Sequence, residues 1–140
     1  MKHVAFIGRW CPLHKGHKNI IKKIYKEKNL PVLIMVRDSE DEISLPNRIN
    51  IIKSWLSEEN ITGEVIAIPD IEGIYYGRGV GYNIQEVIVE EDIKNISGTE
   101  IRDALKNKNY EKVIQFVDEH YTDAEKELIF KQLKQLGYIN

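Results

Sequence analysis

Apolar residues along the first seventy positions alternate between two spacings. Short continuous apolar runs at residues 4–7 and 32–36 predict buried β-strands, and so does the segment 64–68, in which four apolar residues follow Glu64. Between them, residues 18–28 and a segment beginning at Pro46 carry apolar side chains at helical spacing. Strand, helix, strand, helix, strand in this order predicts an α/β fold with a doubly wound parallel sheet.

The second half of the chain is predicted to be mainly helical. Residues 86–90 form a weaker strand candidate, and apolar faces at helical spacing predict helices over residues 110–117 and 123–136. The sequence contains no internal repeat, low-complexity tract or linker. We therefore expect a single domain over residues 1–140, with a C-terminal helical portion from about residue 99.

Composition narrows the class of protein. With 42% hydrophobic and 30% charged residues, the 140-residue chain is typical of a globular domain. A net charge of −2 lacks the basic excess of a general nucleic-acid binder, so no nucleic-acid partner is expected. One cysteine excludes an internal disulfide. The longest apolar run, residues 30–36, is too short to span a membrane, and no signal segment is evident, so we expect a cytoplasmic protein.

The most informative segment follows the first strand and ends in His14-Lys15-Gly16-His17. It lies between a strand and a helix, where free backbone N–H groups and the helix dipole bind anions. Gly16 allows a phosphate to approach the backbone, and two imidazoles can stabilise charge on a phosphate. The alternatives are solvated histidines in a polar loop, or a metal shared by the two histidines. No further ligand has the required spacing, so no metal site is assigned.

A second segment, residues 96–102, opens a predicted helix. Ser97 and Glu100 have capping-box spacing, and Arg102 lies one turn into the helix. Hydroxyl groups, free N–H groups and an arginine at a helix start can bind an anion. A plain helix cap explains the same spacing.

Together the two segments resemble the HxGH nucleotidyltransferase superfamily, which has a Rossmann-like (HUP-type), cytidylyltransferase-like fold. Its HxGH and ISSTxxR-type motifs correspond here to HKGH at residues 14–17 and ISGTEIR at residues 96–102. GRWCPLHKGH, at residues 8–17, looks most similar to archaeal-type nicotinamide mononucleotide adenylyltransferases, which favour GRFxPxHxGH and ISGTxIR. The resemblance covers roughly residues 3–105.

The resemblance implies transfer of an adenylyl group from ATP to a phosphorylated small molecule, with nicotinamide mononucleotide first among the acceptors, and release of pyrophosphate. It implies direct attack without a covalent enzyme intermediate, Mg²⁺ bound with the nucleotide, and no catalytic base. His14, His17 and Arg102 would be catalytic. The nucleotide-binding residues would be Gly8, Arg9, Trp10, Lys15, Gly16, Ser97, Gly98 and Thr99. Relatives are often oligomeric, so the resemblance is compatible with a homo-oligomer.

The acceptor would bind at the same edge of the sheet, where parallel strands end. The candidate acceptor-binding residues are Arg37, Asp38, Tyr75, Tyr76 and Arg78. Each also fits an interpretation without a binding role, in which the charged residues are solvated and the tyrosines pack in a surface loop. Arg48 starts a helix near the same edge, and two interpretations fit it: it binds an acceptor phosphate, or it is a solvated charge.

Other functions stay open. Residues 76–82 resemble a cytidylyltransferase-related domain found beside adenylylsulfate kinases, which would mean CTP and a polyol or sugar phosphate. A nucleotide-binding module without turnover is a second class, although such a module need not keep both histidines. A fragment of an aminoacyl-tRNA synthetase is disfavoured because no Lys-Met-Ser-Lys-Ser-like loop is present. The spacing at residues 77–81 does not fit a dinucleotide fingerprint. His3 and His120 lack partners by spacing and are expected to be structural or exposed.

Overall fold

A computed structural model describes residues 1–41, 43–79, 81, 83–86 and 98–135. In the order of the chain, the elements are β1 (Val4–Gly8), α1 (Lys15–Lys28), β2 (Val32–Asp38), α2 (Leu45–Glu58), β3 (Gly63–Pro69), α3 (Gly98–Lys106), α4 (Tyr110–His120) and α5 (Asp123–Gln135). The three predicted strands and the helices between them are confirmed, as is the parallel α/β fold with C-terminal helices. The strand candidate at residues 86–90 and the capping-box pair Ser97 and Glu100 lie outside the described residues or side chains.

The described sheet has the order β1-β2-β3, and both neighbouring pairs are parallel. Val32 is in register with Val4 on one side and with Gly63 on the other. Parallel strands end at a common edge, which here brings together Gly8, Asp38 and Pro69. Gly63 permits this pairing, because a Cβ there would lie 2.3 Å from Cγ2 of Val32.

The hydrophobic core lies between one face of the sheet and the helices. Val32, Ile34 and Val36 of β2 are fully buried, since side chains two positions apart share a face. Trp55 and Ile52 of α2 pack into the same core. Because α2 contacts both β2 and β3, this helix fixes the middle of the sheet.

β3 differs from the expected buried strand. Five of its seven residues are exposed, and Ile66 retains 39% of its accessible surface. Within the described part of the chain, β3 pairs with β2 alone, which leaves its outer edge without a neighbouring strand. An apolar run does not by itself distinguish a central strand from such a position.

The C-terminal helices pack onto the first half of the chain. α3 contacts α4, and α5 contacts both α4 and α2. The buried positions of α4 and α5 are Val113, Val117, Glu125, Ile129 and Leu133. In the described part of the chain, no helix is both long and apolar enough to cross a bilayer. The packing of α4 and α5 onto the first half of the chain brings the turn between these two helices to the N-terminal end of α1, where the candidate site lies.

Candidate active site

The two histidines of the HKGH segment cap α1, which begins three residues earlier than the sequence predicts. His14 is the N-cap residue, and its Nδ1 accepts a hydrogen bond from the Gly16 N–H at 3.1 Å. His17 is the third residue of the helix, and its Nδ1 accepts from the His14 N–H at 3.3 Å. This reciprocal pair is a capping box built from imidazoles instead of Ser/Thr and Glu/Gln. Since each Nδ1 accepts, the proton of each neutral ring resides on Nε2.

The two rings are stacked and electrically neutral near pH 7. Their centroids are 3.8 Å apart and their planes differ by 18°. Burial, followed by the charge of His17, lowers the pKa of His14 to about 3. Burial, followed by the Arg102 charge, lowers the pKa of His17 to about 4, opposed by a hydrogen bond to the Pro12 carbonyl. Each ring is therefore a neutral N–H donor. A bound anion would favour protonation of the imidazoles and would thereby strengthen their hydrogen bonds to it.

Trp10 is buried and packs against the His17 ring, so it does not line an open pocket. The indole is 7% exposed, meets the His17 ring edge-on at 4.8 Å, and donates from Nε1 to the Met35 carbonyl at 2.9 Å. Gly8 accommodates the indole, because a Cβ there would lie 3.1 Å from Cε2 of Trp10. Of the predicted nucleotide-binding residues, Gly8 and Trp10 thus fix the position of His17.

Arg102 of α3 lies beside the histidines. Its guanidinium donates to the Cys11 carbonyl at 3.0 Å, and its positive charge contributes to the lowered pKa of both His14 and His17. Two segments that are more than eighty positions apart in the sequence therefore meet at one place.

The remainder of the second segment is only partly described. Gly98 and Thr99 form the first turn of α3, of which the structure describes the backbone, and Ser97 lies outside the described residues. The expected roles of these three residues in phosphate binding stay predictions.

The Arg48 side chain is neither solvated nor exposed for binding the phosphate of the acceptor substrate, so both interpretations from the sequence are wrong. The side chain is 1% exposed and donates to four backbone carbonyls. These acceptors are the carbonyls of Arg9 (2.6 Å), Arg37 (3.1 Å), Ser39 (3.1 Å) and Ile43 (3.0 Å). A rigid planar guanidinium can satisfy this many acceptors at once. Arg48 therefore ties the ends of β1 and β2 together beneath the site.

The side chain of Arg9 is paired with a buried acid. Arg9 forms an ion pair with Asp41, which also accepts a hydrogen bond from Ser39. Burial alone would raise the pKa of Asp41, but the hydrogen bonds from Arg9 and Ser39 hold it below its usual value. Arg9 remains 40% exposed beyond this ion pair, at the edge of the sheet where a ligand is expected.

The predicted acceptor-binding residues lie at the end of β2 and in the segment that follows β3. Arg37, at the end of β2, forms a partly exposed ion pair with Asp70 at 2.9 Å, and Asp38 is exposed. Tyr75 and Tyr76 are 81% and 66% exposed in the segment after β3, where Arg78 is also exposed. Both tyrosines are therefore accessible, and Tyr75 also donates a hydrogen bond within its own segment to Oε2 of Glu72. Their acceptor-binding role stays a prediction.

His120 is the site residue that sequence reasoning missed. It ends α4, and its Nδ1 accepts a hydrogen bond from the N–H of Lys15, the first residue of α1, at 3.3 Å. Its ring centroid is 6.4 Å from that of His14. The contact joins residues 105 positions apart, so no local spacing could reveal it. The expectation that His120 lacks a partner is wrong.

Lys18, on the next turn of α1, anchors this region. Its ammonium group donates to the His120 carbonyl at 2.9 Å and to Oε1 of Glu125 at 2.8 Å. The side chains of Lys18 and Glu125 are 11% and 0% exposed, so the ion pair is buried. Lys18 also lies over the Tyr121 ring at 4.7 Å from its centroid. This pair fixes the C-terminal helices to the helix that carries the histidines.

Comparison with known proteins gives two relatives. A Methanococcus vannielii protein named nicotinamide-nucleotide adenylyltransferase is 30% identical over 155 aligned positions, which cover 86% of this chain and 86% of that protein. A Methanococcus aeolicus protein of the same name is 32% identical over 111 positions, covering 75% of this chain and 62% of the relative. No family model matches the chain, and no solved structure matches it. The chain belongs to the nicotinamide-nucleotide adenylyltransferase family.

Membership of the nicotinamide-nucleotide adenylyltransferase family confirms the expectation of a nucleotidyltransferase enzyme. It also agrees with the parallel sheet, whose C-terminal edge carries the capped histidines and Arg102. Within the described residues, no group of three His, Cys, Asp or Glu side chains is arranged to hold a metal ion.

Proposed function

We propose that this enzyme transfers the adenylyl group of ATP to nicotinamide mononucleotide and releases pyrophosphate. The observation that supports this most directly is the pair of stacked, neutral imidazoles at the start of α1, next to the Arg102 guanidinium. The names of the two relatives also support adenylyl transfer to a nicotinamide nucleotide.

In the proposed reaction, a phosphate oxygen of the acceptor attacks the α-phosphorus of ATP. A new P–O bond forms the diphosphate linkage of the dinucleotide, and the bond from the α-phosphorus to the bridging oxygen of the β-phosphate breaks. The electron pair of that bond leaves with pyrophosphate, as its Mg²⁺ complex. Because the acceptor phosphate is already ionised near pH 7, the step requires no general base.

The chain contributes positioning and charge stabilisation. His14 donates its neutral Nε2–H to the triphosphate, His17 does so by exchanging its hydrogen bond to the Pro12 carbonyl for one to phosphate, and Arg102 adds a positive charge beside them. Ser97, Gly98 and Thr99 bind the β- and γ-phosphates. At the start of α1 the exposed Lys15 side chain does so, and Gly16, which has no side chain, lets a phosphate approach, while the N–H groups of both residues are already donated to His120 and His14. Loss of one such donor typically lowers turnover by roughly 10²- to 10³-fold.

The acceptor binds along the edge that follows β2 and β3. Arg9 and Arg37 are the positive side chains nearest to the ends of β1 and β2, and each is held by an acid partner. Tyr75 and Tyr76 offer exposed aromatic faces on which a base or a nicotinamide ring can stack.

The test measures pyrophosphate release for each nucleoside triphosphate combined with nicotinamide mononucleotide, glycerol phosphate, phosphopantetheine and sugar phosphates. We expect release with ATP and nicotinamide mononucleotide. Release with CTP and a polyol or sugar phosphate would instead identify a cytidylyltransferase. A shift in melting temperature with ATP, but no release with any acceptor, would identify a binding module.

A matched variant separates chemistry from folding. In a common capping box, Asn is a good N-cap residue and Gln at the third helical position reaches back to the cap N–H. His14→Asn combined with His17→Gln therefore retains the cap and removes both imidazole donors. We expect a folded protein with turnover lowered by at least roughly 10²-fold. Unchanged turnover in the folded double variant would refute the assigned role of the histidines.

A further inference from the structure

His120 is built into the start of α1 in the same way as the two motif histidines. Each of the three rings accepts a backbone N–H of residues 14–16 through Nδ1. The proton of the neutral His120 ring must then reside on Nε2, on the far side of the ring from the Lys15 amide. All three imidazoles therefore carry their N–H at Nε2, around the start of α1.

The position of the His120 ring is fixed from two sides. The ring stacks on Phe116, with centroids 4.1 Å apart and planes differing by 26°. The His120 carbonyl accepts from the buried Lys18 ammonium, which is itself held by Glu125. A donor that is held in place by its surroundings loses little conformational entropy when it binds a ligand.

The ring is also accessible to a ligand. His120 is half-buried, and it borders a cleft of about 300 Å³ that is lined by Lys15, Lys18 and Lys22 of α1 and by Glu59 and Glu119. Burial lowers the pKa of His120, the charge of Glu119 opposes this change, and the charges of Lys15 and Lys18 add to it. Lys18 and Lys22 are paired with Glu125 and Glu59. Lys15, exposed at the first position of α1, is the positive side chain that accompanies the His120 N–H, and this pair suits a polyphosphate more than a cation.

We propose that His120 is a third phosphate-binding imidazole, whose Nε2–H donates to the terminal phosphates of the nucleotide and to the pyrophosphate product. This inference rests on the proposed function, because it needs a triphosphate at the start of α1. It makes the C-terminal helices part of the active site, with Lys18 and Glu125 as positioning residues for His120.

The test uses two substitutions that divide the functions of the ring. Asn in place of His120 keeps an acceptor near Nδ1 for the Lys15 N–H but removes the distal donor, whereas Gln places an amide N–H₂ near Nε2. His3→Asn is the control, because His3 is exposed near the N-terminus. Binding of inorganic tripolyphosphate to each full-length protein is measured by calorimetry, and KM for ATP and kcat are measured alongside.

A lost hydrogen bond to a charged group corresponds to roughly 10- to 100-fold weaker binding. We expect His120→Asn to melt near the parent temperature, to weaken tripolyphosphate binding by that factor, and to raise KM for ATP. His120→Gln should recover part of the binding, and His3→Asn should bind as the parent does. A merely structural role would change the melting temperature in His120→Asn and leave binding to the folded protein unchanged.

The failure of this inference is distinguishable from failure of the proposed function. If His120→Asn binds tripolyphosphate as the parent does, while His14→Asn weakens it, His120 lies outside the phosphate site and the proposed function stands. If the parent protein neither binds tripolyphosphate nor releases pyrophosphate with any substrate pair, both proposals are overturned.

Discussion

Replacing Lys18 by methionine tests whether the buried ion pair stabilises the C-terminal helices. Methionine preserves most of the aliphatic volume but leaves the carboxylate of Glu125 without its cation. Oε1 keeps its hydrogen bonds from the N–H and hydroxyl of Thr122, at 3.0 and 3.1 Å, and Oε2 has no partner among the described residues. Breaking a buried pair in this way typically costs about 3–5 kcal/mol.

We therefore expect Lys18→Met to lower the free energy of unfolding by about 3–5 kcal/mol at pH 7, because the Glu125 carboxylate stays buried and loses its cation. Lost packing alone should cost less than about 1.5 kcal/mol, because methionine preserves most of the aliphatic volume.

Urea unfolding followed by tryptophan fluorescence measures this, since Trp10 and Trp55 are both buried. The control is Lys22→Met, which removes a largely exposed pair with Glu59 at 3.4 Å and should cost no more than about 1 kcal/mol. A cost below about 1 kcal/mol for the Lys18 variant would refute the reasoning.

Two further perturbations probe the site and the sheet. Because the pKa values of His14 and His17 lie at about 3 and 4 in the folded protein and near 6.5 when unfolded, the unfolded chain binds more protons below about pH 6.5. The free energy of unfolding should therefore fall as the pH drops from about 6.5 towards 4, with a smaller slope in the Asn/Gln capping variant; equal slopes would contradict this assignment. Gly63→Ala should destabilise by about 1–3 kcal/mol, because its Cβ would meet Val32 at 2.3 Å, whereas Gly77→Ala meets nothing within 4 Å and should stay within about 0.5 kcal/mol; similar unfolding midpoints in urea for the two variants would contradict this.

The order of strands and helices was predictable because it follows from local spacing alone. Boundaries and environments were less so. α1 begins at Lys15, whereas the sequence predicts a start at residue 18. The sequence gives no earlier start signal because histidine is not among the usual N-cap residues. β3 reads as a buried strand, yet it is mostly exposed, because an apolar run carries no information about how many neighbours a strand has.

For the candidate site, sequence reasoning found the residues that lie near strand ends and helix starts. The topology of a parallel sheet explains why His14 and His17 lie at the same edge as the ends of β2 and β3. His120 and Arg48 escaped this reasoning for different reasons. His120 meets Lys15 through packing of the C-terminal helices, and Arg48 turns inward because four carbonyls converge on it.

The capping box formed by His14 and His17 has a consequence for interpreting the genes of distant relatives. Each imidazole satisfies a backbone amide that would otherwise go unpaired at the helix start. A descendant that had abandoned chemistry altogether would still lose stability on replacing either ring by a side chain that cannot accept the amide. The survival of both histidines is thus a sign of an intact helix start first, and of an active enzyme only when turnover has been measured.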